Sequence, residues 1–182
     1  MKKARKGENS ISELKQVEIN GTGHELMIRA QDKANPSVIF VHGGPGVPEI
    51  PYVTKYQEEL EKHFTVVHYD QRDAGKSYHF GEDYSSLSTD LLVKDLLALT
   101  DYISDRFDKK KVILIGHSFG TYIAMQAAYQ APEKYEAYIG IGQMADIVES
   151  EIDGLNFTLE QAKLSGNTAD VEQLQSIADT FA

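Results

Sequence analysis

The sequence contains no cysteine. This absence excludes disulfide bonds, zinc sites built on thiolates and a cysteine nucleophile. It does not identify the cellular compartment, because a chain without cysteine suits either redox state. A nucleophile in this chain must therefore be a residue of another type.

Positive charge is also scarce. The 182 residues carry a formal net charge of −10, and the pI is about 5.0. We therefore expect no nucleic acid partner, because phosphate groups are bound by basic surfaces. An acidic balance of this size chiefly keeps a protein in solution and says nothing about its substrate.

Long apolar stretches are missing as well. No stretch is long enough to span a bilayer, and the basic start at residues 2–6 is followed by GENS rather than by the apolar core of a signal peptide. We therefore expect residues 1–14 to form a polar N-terminal tail of a cytoplasmic protein. A basic flank left by a removed membrane anchor is the alternative for this tail.

What the chain does have is an alternation of strand-like and helix-like segments. Residues 14–31 predict two strands around the turn at Asn20-Gly21. Continuous apolar runs, typical of strands buried on both faces of a parallel sheet, lie at 37–41, 65–69, 112–115 and 138–142. Helical spacing of apolar residues is found at 49–63, 89–107 and about 120–130. The alternation predicts a three-layer α/β fold with a mostly parallel sheet, whose core is residues 15–144.

The last part of the chain has a different pattern. Residues 145–164 and 168–181 predict two polar amphipathic helices, and no strand follows them. We expect this segment, 145–182, to be the start of a helical cap over the sheet edge. The strand at 138–142 then forms an open edge, which is a template for association. We expect either a second chain that covers that edge or a longer parent protein that was cut after the cap.

A possible nucleophile lies where a buried strand meets a helix. Residues 116–120 read GHSFG, which fits the pattern G-x-S-x-G of a nucleophile elbow. Gly116 and Gly120 leave room for a sharp turn, which should hold Ser118 at unfavourable dihedral angles and lift its hydroxyl off the sheet. Ser118 would also lie at a helix N-terminus, where free N–H groups favour negative charge. The alternative is a glycine-rich turn with an incidental serine.

A second glycine-rich loop follows an earlier strand. Residues 42–46 read HGGPG. A backbone N–H of this loop can pair with the N–H of Phe119 to hold an oxyanion, and glycines let a substrate carbonyl approach closely. The alternative is an ordinary turn.

The motifs HGGPG at 42–46, DQRDAGKS at 70–77 and GHSFG at 116–120 resemble the proline iminopeptidase branch of the α/β-hydrolases. The resemblance covers residues 15 to about 150. It implies a serine peptidase that removes a free N-terminal residue from small peptides or amides and needs no cofactor and no metal. It also implies that the oxyanion donors are the N–H groups of Phe119 and of Gly44 or Gly43, and that the Gly44-Pro45 bond is cis.

The resemblance implies two further roles. Carboxylates of the cap hold the substrate ammonium group in such aminopeptidases, which makes Glu149 and Glu151 candidates, although a solvated helix face is the alternative. Asp70 and Arg72 are expected to form an ion pair that braces the loop near the oxyanion turn.

The general base is the missing part of the site. In this fold the catalytic order is serine, acid, histidine, yet no histidine follows Ser118. Of the six histidines, His42 is expected to hold its loop, His68 to pack in a strand, and His117 to point away from the serine hydroxyl; His79 is the remaining candidate base. We therefore expect the chain alone to be an inactive fragment of a hydrolase, activated by a histidine outside it. A carboxylesterase and a non-catalytic binding module are the alternative functions.

Overall fold

The computed structural model describes residues 7–180 of the chain, so the basic part of the expected tail, residues 2–6, lies outside the described residues. Six strands form a single sheet in the order β1-β2-β4-β3-β5-β6. The strands are β1 Ile11–Ile19, β2 Thr22–Ala30, β3 Ser37–Val41, β4 Thr65–Tyr69, β5 Val112–His117 and β6 Tyr135–Ile141. The helices are α1 Ile50–Val53, α2 Thr89–Phe107, α3 Phe119–Gln130, α4 Ile147–Ser165 and α5 Thr168–Ala178.

The sheet is mixed but mostly parallel, as the apolar runs predicted. β1 and β2 form an antiparallel hairpin whose turn residues, Asn20 and Gly21, both have positive φ. β2 is antiparallel to β4, whereas the pairs β4–β3, β3–β5 and β5–β6 are parallel. β1 begins at Ile11, so it includes residues that the sequence analysis assigned to the polar tail.

Side chains of the sheet alternate between two covered faces, which gives the three layers. Tyr135 of β6 lies opposite Val112, and its hydroxyl lies 3.1 Å from the Thr100 hydroxyl of α2. On the other face Phe40 stacks on His68 with ring centroids 4.5 Å apart. Glu49, which precedes α1, lies on that second face, with its carboxylate 3.9 Å from Nδ1 of His68.

Helix α2 forms where the sequence predicted it. The Ser88 hydroxyl accepts a hydrogen bond from the Leu91 N–H and caps the first turn. The apolar stripe is buried and consists of Leu92, Leu96, Leu99 and Ile103. The capping residue and the buried apolar face therefore both favour a helix here.

The predicted helix over 49–63 is wrong. The segment forms only the short α1 and a separate 3-10 turn at Leu60–Lys62. The expected stripe of Tyr52, Tyr56 and Leu60 remains exposed, and a helix of this length is held mainly by burial of an apolar face.

The chain divides into two compact units, the first ending at Gln143 and the second beginning at Met144. In the first unit β6 is an edge strand, with Ile139 and Ile141 about half exposed; the second chain expected at this edge stays a prediction. In the second unit α4 and α5 pack on each other and are joined at Gly166, which ends α4 at a φ of 70°. Within residues 7–180 no helix is long and apolar enough to cross a membrane.

Candidate active site around Ser118

Ser118 lies in the turn that joins β5 to α3. Its φ is 50° and its ψ is −125°, a conformation that costs a non-glycine residue about 1–3 kcal/mol. The Ser118 N–H donates to the carbonyl of Ile141 at 2.8 Å, and the Thr121 N–H donates to the carbonyl of Ser118 at 2.8 Å. The strained backbone expected from the sequence is therefore confirmed, and hydrogen bonds on both sides hold it.

The two glycines of the motif are required by space. A Cβ on Gly116 would lie 2.7 Å from Cα of Thr121, and a Cβ on Gly120 would lie 2.0 Å from the carbonyl oxygen of Val41. Both neighbours are backbone atoms, which cannot rotate away. The turn thus brings α3 directly against the end of β3, where the second glycine-rich loop begins.

That second loop approaches the serine side chain. A Cβ on Gly43 would lie 2.9 Å from Cβ of Ser118 and 3.5 Å from its hydroxyl oxygen. Gly44 has a φ of 120°, and the Gly44-Pro45 peptide is cis, as the resemblance implied. The structure therefore places Gly43 beside Ser118, at the N-terminus of α3 that begins with Phe119. The convergence of the N–H groups of Phe119 and Gly43 or Gly44 on one point stays a prediction.

His42 holds this loop, as expected. Its Nε2 accepts a hydrogen bond from the Gln71 N–H at 3.0 Å, so the proton resides on Nδ1, which donates to the Gly43 carbonyl at 2.9 Å. The Gln71 side chain donates back to the His42 carbonyl at 2.7 Å. Burial lowers the pKa of His42 below its usual value, which keeps the ring neutral and the network intact.

The expected ion pair between Asp70 and Arg72 is wrong. The Arg72 guanidinium instead binds Asp95 of α2, with distances of 2.8 and 3.0 Å. Asp70 accepts the Lys76 N–H at 2.9 Å and lies against Gly75, where a Cβ would be 2.3 Å from the carboxylate. Burial raises the pKa of Asp70. Asp70 therefore shapes the loop through backbone hydrogen bonds rather than through a cation.

Asp95 is a buried carboxylate surrounded by three polar side chains, and sequence reasoning missed it. Burial would raise the pKa of this carboxyl group, but the His24 ring, the Arg72 guanidinium and the Asn20 amide together lower it. No motif marked Asp95, because it occupies an ordinary polar position in the helical pattern of α2.

A second missed residue lies next to the serine turn. Glu49 is only 8% exposed, and its carboxylate lies 2.8 Å from Nδ1 of His117, the residue before Ser118. The His117 ring therefore binds Glu49. This contact is compatible with the expectation that the ring points away from the serine hydroxyl. Glu49 belongs to no motif, and its partner is 68 residues away, so no sequence signal indicated the pair.

Known proteins with the same features identify the family. Residues 36–178 match the family model described as alpha/beta hydrolase fold. The chain belongs to the α/β-hydrolase family.

Two relatives of this α/β-hydrolase chain have names that refer to hydrolases. It is 40% identical over 142 residues to a Bacillus subtilis protein named “Probable aminopeptidase YbaC”, a match that covers 78% of the chain and 45% of YbaC. It is 29% identical over 106 residues to a Haemophilus influenzae protein named “Putative esterase/lipase”, a match that covers 58% of the chain and 33% of that protein. The chain therefore spans less than half the length of these relatives.

Solved structures give the same fold. A proline iminopeptidase-related protein from Thermus thermophilus superposes with a TM-score of 0.61 at 26% identity, covering 71% of the chain and 44% of that protein. An epoxide hydrolase from Vigna radiata superposes with a TM-score of 0.58 at 28% identity, covering 73% of the chain and 40% of the enzyme. The aminopeptidase-like resemblance of the hydrolase chain is thereby confirmed, whereas its substrate is not decided.

The other residues singled out in the sequence have the following surroundings. The His79 ring binds the carbonyl of Gly23 in the β1–β2 hairpin at 2.8 Å. Glu149 and Glu151 lie in the first turns of α4, and both are exposed. Their role as ligands of a substrate amine stays a prediction, as does the cytoplasmic location.

Proposed function

We propose that this chain is the nucleophile-bearing part of a serine hydrolase in which Ser118 attacks the acyl carbon of the substrate. The strained turn at Ser118 carries the proposal, because backbone strain of this kind persists only where the surrounding structure enforces it, often at functional sites. Hydrogen bonds and close backbone contacts enforce it here. Membership of the α/β-hydrolase family adds independent support.

The proposed oxyanion donors are the N–H groups of Phe119 and of Gly43 or Gly44. Phe119 is the first residue of α3, a helix of 12 residues whose N-terminus favours developing negative charge. Gly43 lies against the Ser118 side chain and has no Cβ that would exclude a substrate carbonyl. The network around His42 fixes the conformation of this loop before any substrate binds.

The proposed general base is none of the six histidines. His24 and His68 are buried in the sheet, and His42, His79 and His117 have hydrogen-bond partners other than Ser118. His63 precedes β4 and therefore lies at the opposite end of the parallel strands from Ser118. A serine hydroxyl without a base is a poor nucleophile near neutral pH, so we propose that a further histidine activates Ser118 in the working enzyme.

The proposed substrate is a small peptide or amide with a free N-terminus. The similarity to YbaC and to the Thermus protein supports this class. We propose Glu149 and Glu151 as carboxylates that attract the substrate ammonium group. The esterase/lipase relative favours a carboxylic ester as the second candidate substrate.

A fluorophosphonate probe tests the proposal, with a non-catalytic binding module as the rival. The probe forms a covalent bond only with an activated serine, and peptide mass spectrometry locates it. In a longer protein that contains this chain and supplies the base, we expect modification at Ser118 that is lost in Ser118→Ala and retained in Ser150→Ala, an exposed serine of α4. Absence of modification in that longer protein, when it is folded, would favour the binding module.

Matched substrates test the specificity. A peptide p-nitroanilide with a free N-terminus should be cleaved faster than its N-acetylated form by any longer protein that contains this chain. Equal rates on both forms, with esters cleaved much faster, would favour the esterase.

A further inference from the structure

The buried carboxylate of Glu49 has its hydrogen-bond partner at the serine turn. One carboxylate oxygen lies 2.8 Å from Nδ1 of His117, and the other lies 3.9 Å from Nδ1 of His68, which is beyond hydrogen-bond distance. Burial lowers the pKa of His68 to about 3, so that ring is neutral and offers Glu49 no positive charge. The contact with His117 is therefore what compensates the burial of Glu49, since a buried carboxylate without a partner is strongly disfavoured.

The two ends of this contact belong to the two loops of the proposed site. His117 is the last residue of β5 and precedes Ser118. Glu49 is the last residue of the loop that begins at Gly43, and it directly precedes α1. Its backbone carbonyl accepts hydrogen bonds from the N–H groups of Tyr52 and Val53 in that helix. The side-chain contact thus joins the far end of the glycine-rich loop to the serine turn, while Gly43 contacts that turn at the near end.

We propose that Glu49 is a positioning residue: its carboxylate accepts the Nδ1–H of His117 and thereby fixes the loop at residues 43–49 at its distance from Ser118. Oxyanion donors act only within about 2.7–3.1 Å of the oxygen they stabilise. A loop that moves by about 1 Å forfeits this geometry and slows the reaction roughly 100-fold. The catalytic consequence rests on the proposed function, whereas the fixing of the loop does not.

The hydrogen bond can be removed or kept by pairs of variants of similar shape. Glu49→Met removes the acceptor, and Glu49→Gln keeps an acceptor oxygen. His117→Leu removes the donor, and His117→Asn places an amide N–H where Nδ1 was. Glu61→Met is the matched control, because Glu61 is also a buried glutamate but pairs with Arg29 at 2.7 Å and precedes β4, at the opposite end of the parallel strands from Ser118.

Amide hydrogen exchange of the loop gives a result that does not need a reactive serine. The reporter is the Val47 N–H, which donates to the Gly43 carbonyl at 3.3 Å. We expect about tenfold faster exchange in Glu49→Met and His117→Leu, since a hydrogen bond to a charged group contributes at least about that factor. Glu49→Gln, His117→Asn and Glu61→Met should remain near the wild-type rate.

A spectroscopic measurement covers the case in which a variant fails to fold. The nitrogen chemical shifts of His117 in the wild-type chain near pH 8 should show the proton on Nδ1. A proton on Nε2 would overturn the proposal, as would wild-type exchange in Glu49→Met or equal exchange in Glu49→Gln and Glu49→Met.

The rate of fluorophosphonate modification then tests whether the Glu49–His117 hydrogen bond affects the reactivity of Ser118. In a longer protein that contains this chain and supplies the base, we expect the rate at Ser118 to fall about 10- to 100-fold in Glu49→Met and to recover in Glu49→Gln. If the wild-type serine does not react, the proposed function fails while the exchange result still decides the role of Glu49. If the serine reacts equally in wild type and Glu49→Met, the catalytic part of the inference is overturned.

Discussion

The glycines of the serine turn and those of the helical unit differ in how much space surrounds them. In the unit that contains the sheet, a Cβ on Gly120 would lie 2.0 Å from a backbone oxygen, and one on Gly116 would lie 2.7 Å from a backbone carbon. In the helical unit, a Cβ on Gly154 or Gly166 would meet nothing within 4 Å. Packing therefore requires glycine at the serine turn. In the helical unit the backbone conformation favours glycine at Gly166, and neither packing nor conformation requires it at Gly154.

This difference separates two ways of specifying structure. The helical unit relies on local signals: the Asp146 side chain accepts from the Glu149 N–H and caps α4, and the Asn167 side chain caps α5. The sheet unit relies on close contacts between segments distant in sequence, above all around Ser118. Substitutions in the helical unit should therefore have large effects only where a local rule is broken. Around Ser118 they should have large effects wherever an added atom meets the backbone.

The largest effect is expected for Gly120→Ala. The added methyl group meets the carbonyl oxygens of Val41 and His42 at 2.0 and 2.5 Å, and the backbone must shift to admit it. Overpacking of this kind costs typically 1–3 kcal/mol and more where backbone is displaced, so we expect a loss of about 3 kcal/mol. Urea denaturation of the chain measures it. A loss below about 1 kcal/mol would show that α3 can move away from β3 and would break the comparison.

The next effect is a pH dependence located in the sheet unit. Burial, with a smaller contribution from His42, lowers the pKa of His68 to about 3, whereas an unfolded histidine titrates near about 6.5. Between these values the unfolded chain binds the additional proton, so the free energy of unfolding falls as the pH falls below about 6.5. Above that pH His68 is neutral in both states, so it no longer changes the free energy of unfolding with pH.

The expected loss from His68 is about 2–3 kcal/mol between pH 7 and pH 4.5. His68→Phe, which keeps a ring against Phe40, should remove this part of the pH dependence. Residues 144–182 contain no histidine, so the helical unit offers no similar group. Identical pH profiles for wild type and His68→Phe would contradict the assignment.

The sequence predicted elements well where local and packing signals agreed. The bounds of α2 follow from Ser88 and from an apolar stripe that is buried, and the strands β3 and β4 follow from short apolar runs. The segment 49–63 had the helical spacing without the burial, and the spacing alone was misleading. The turn at Ser118 and the glycine loops were recognisable because so sharp a turn requires fixed residue types in a fixed local order.

The partners of buried charges could not be predicted in the same way. Arg72 selects Asp95 on α2 rather than the neighbouring Asp70, and Glu49 selects His117. Both choices are made by the packing of distant segments, which a single sequence does not display. The strained turn at Ser118 and the glycine loop beside it were therefore foreseeable, whereas the charged residues that hold the loops were not.

A smaller effect tests the strain at Ser118 itself. Ser118→Gly removes the side chain from a φ of 50° and should recover about 1–3 kcal/mol of strain. The greater freedom of glycine in the unfolded chain costs about 0.5–1 kcal/mol. Ser118→Gly should therefore be about 1 kcal/mol more stable than Ser118→Ala, measured by urea denaturation. An alanine variant of equal or greater stability would mean that the turn relaxes and that the strain is not enforced.

The smallest effect concerns the helical unit, where two glycines with equally empty surroundings should respond in opposite directions. Gly154 lies inside α4 at an ordinary helical conformation, so Gly154→Ala should stabilise that helix by about 0.5–1 kcal/mol through the lower entropy of the unfolded chain. Gly166 ends α4 at a φ of 70°, so Gly166→Ala should destabilise it by about 1 kcal/mol, because a Cβ disfavours this conformation. Hydrogen exchange of the α4 amides measures both changes within this unit, without assuming that the two units unfold together. Opposite signs would show that local backbone conformation alone governs these positions, since neither methyl group meets a neighbour. Destabilisation by both substitutions would reveal a packed surface around α4, and the contrast with the crowded glycines of the serine turn would then no longer hold.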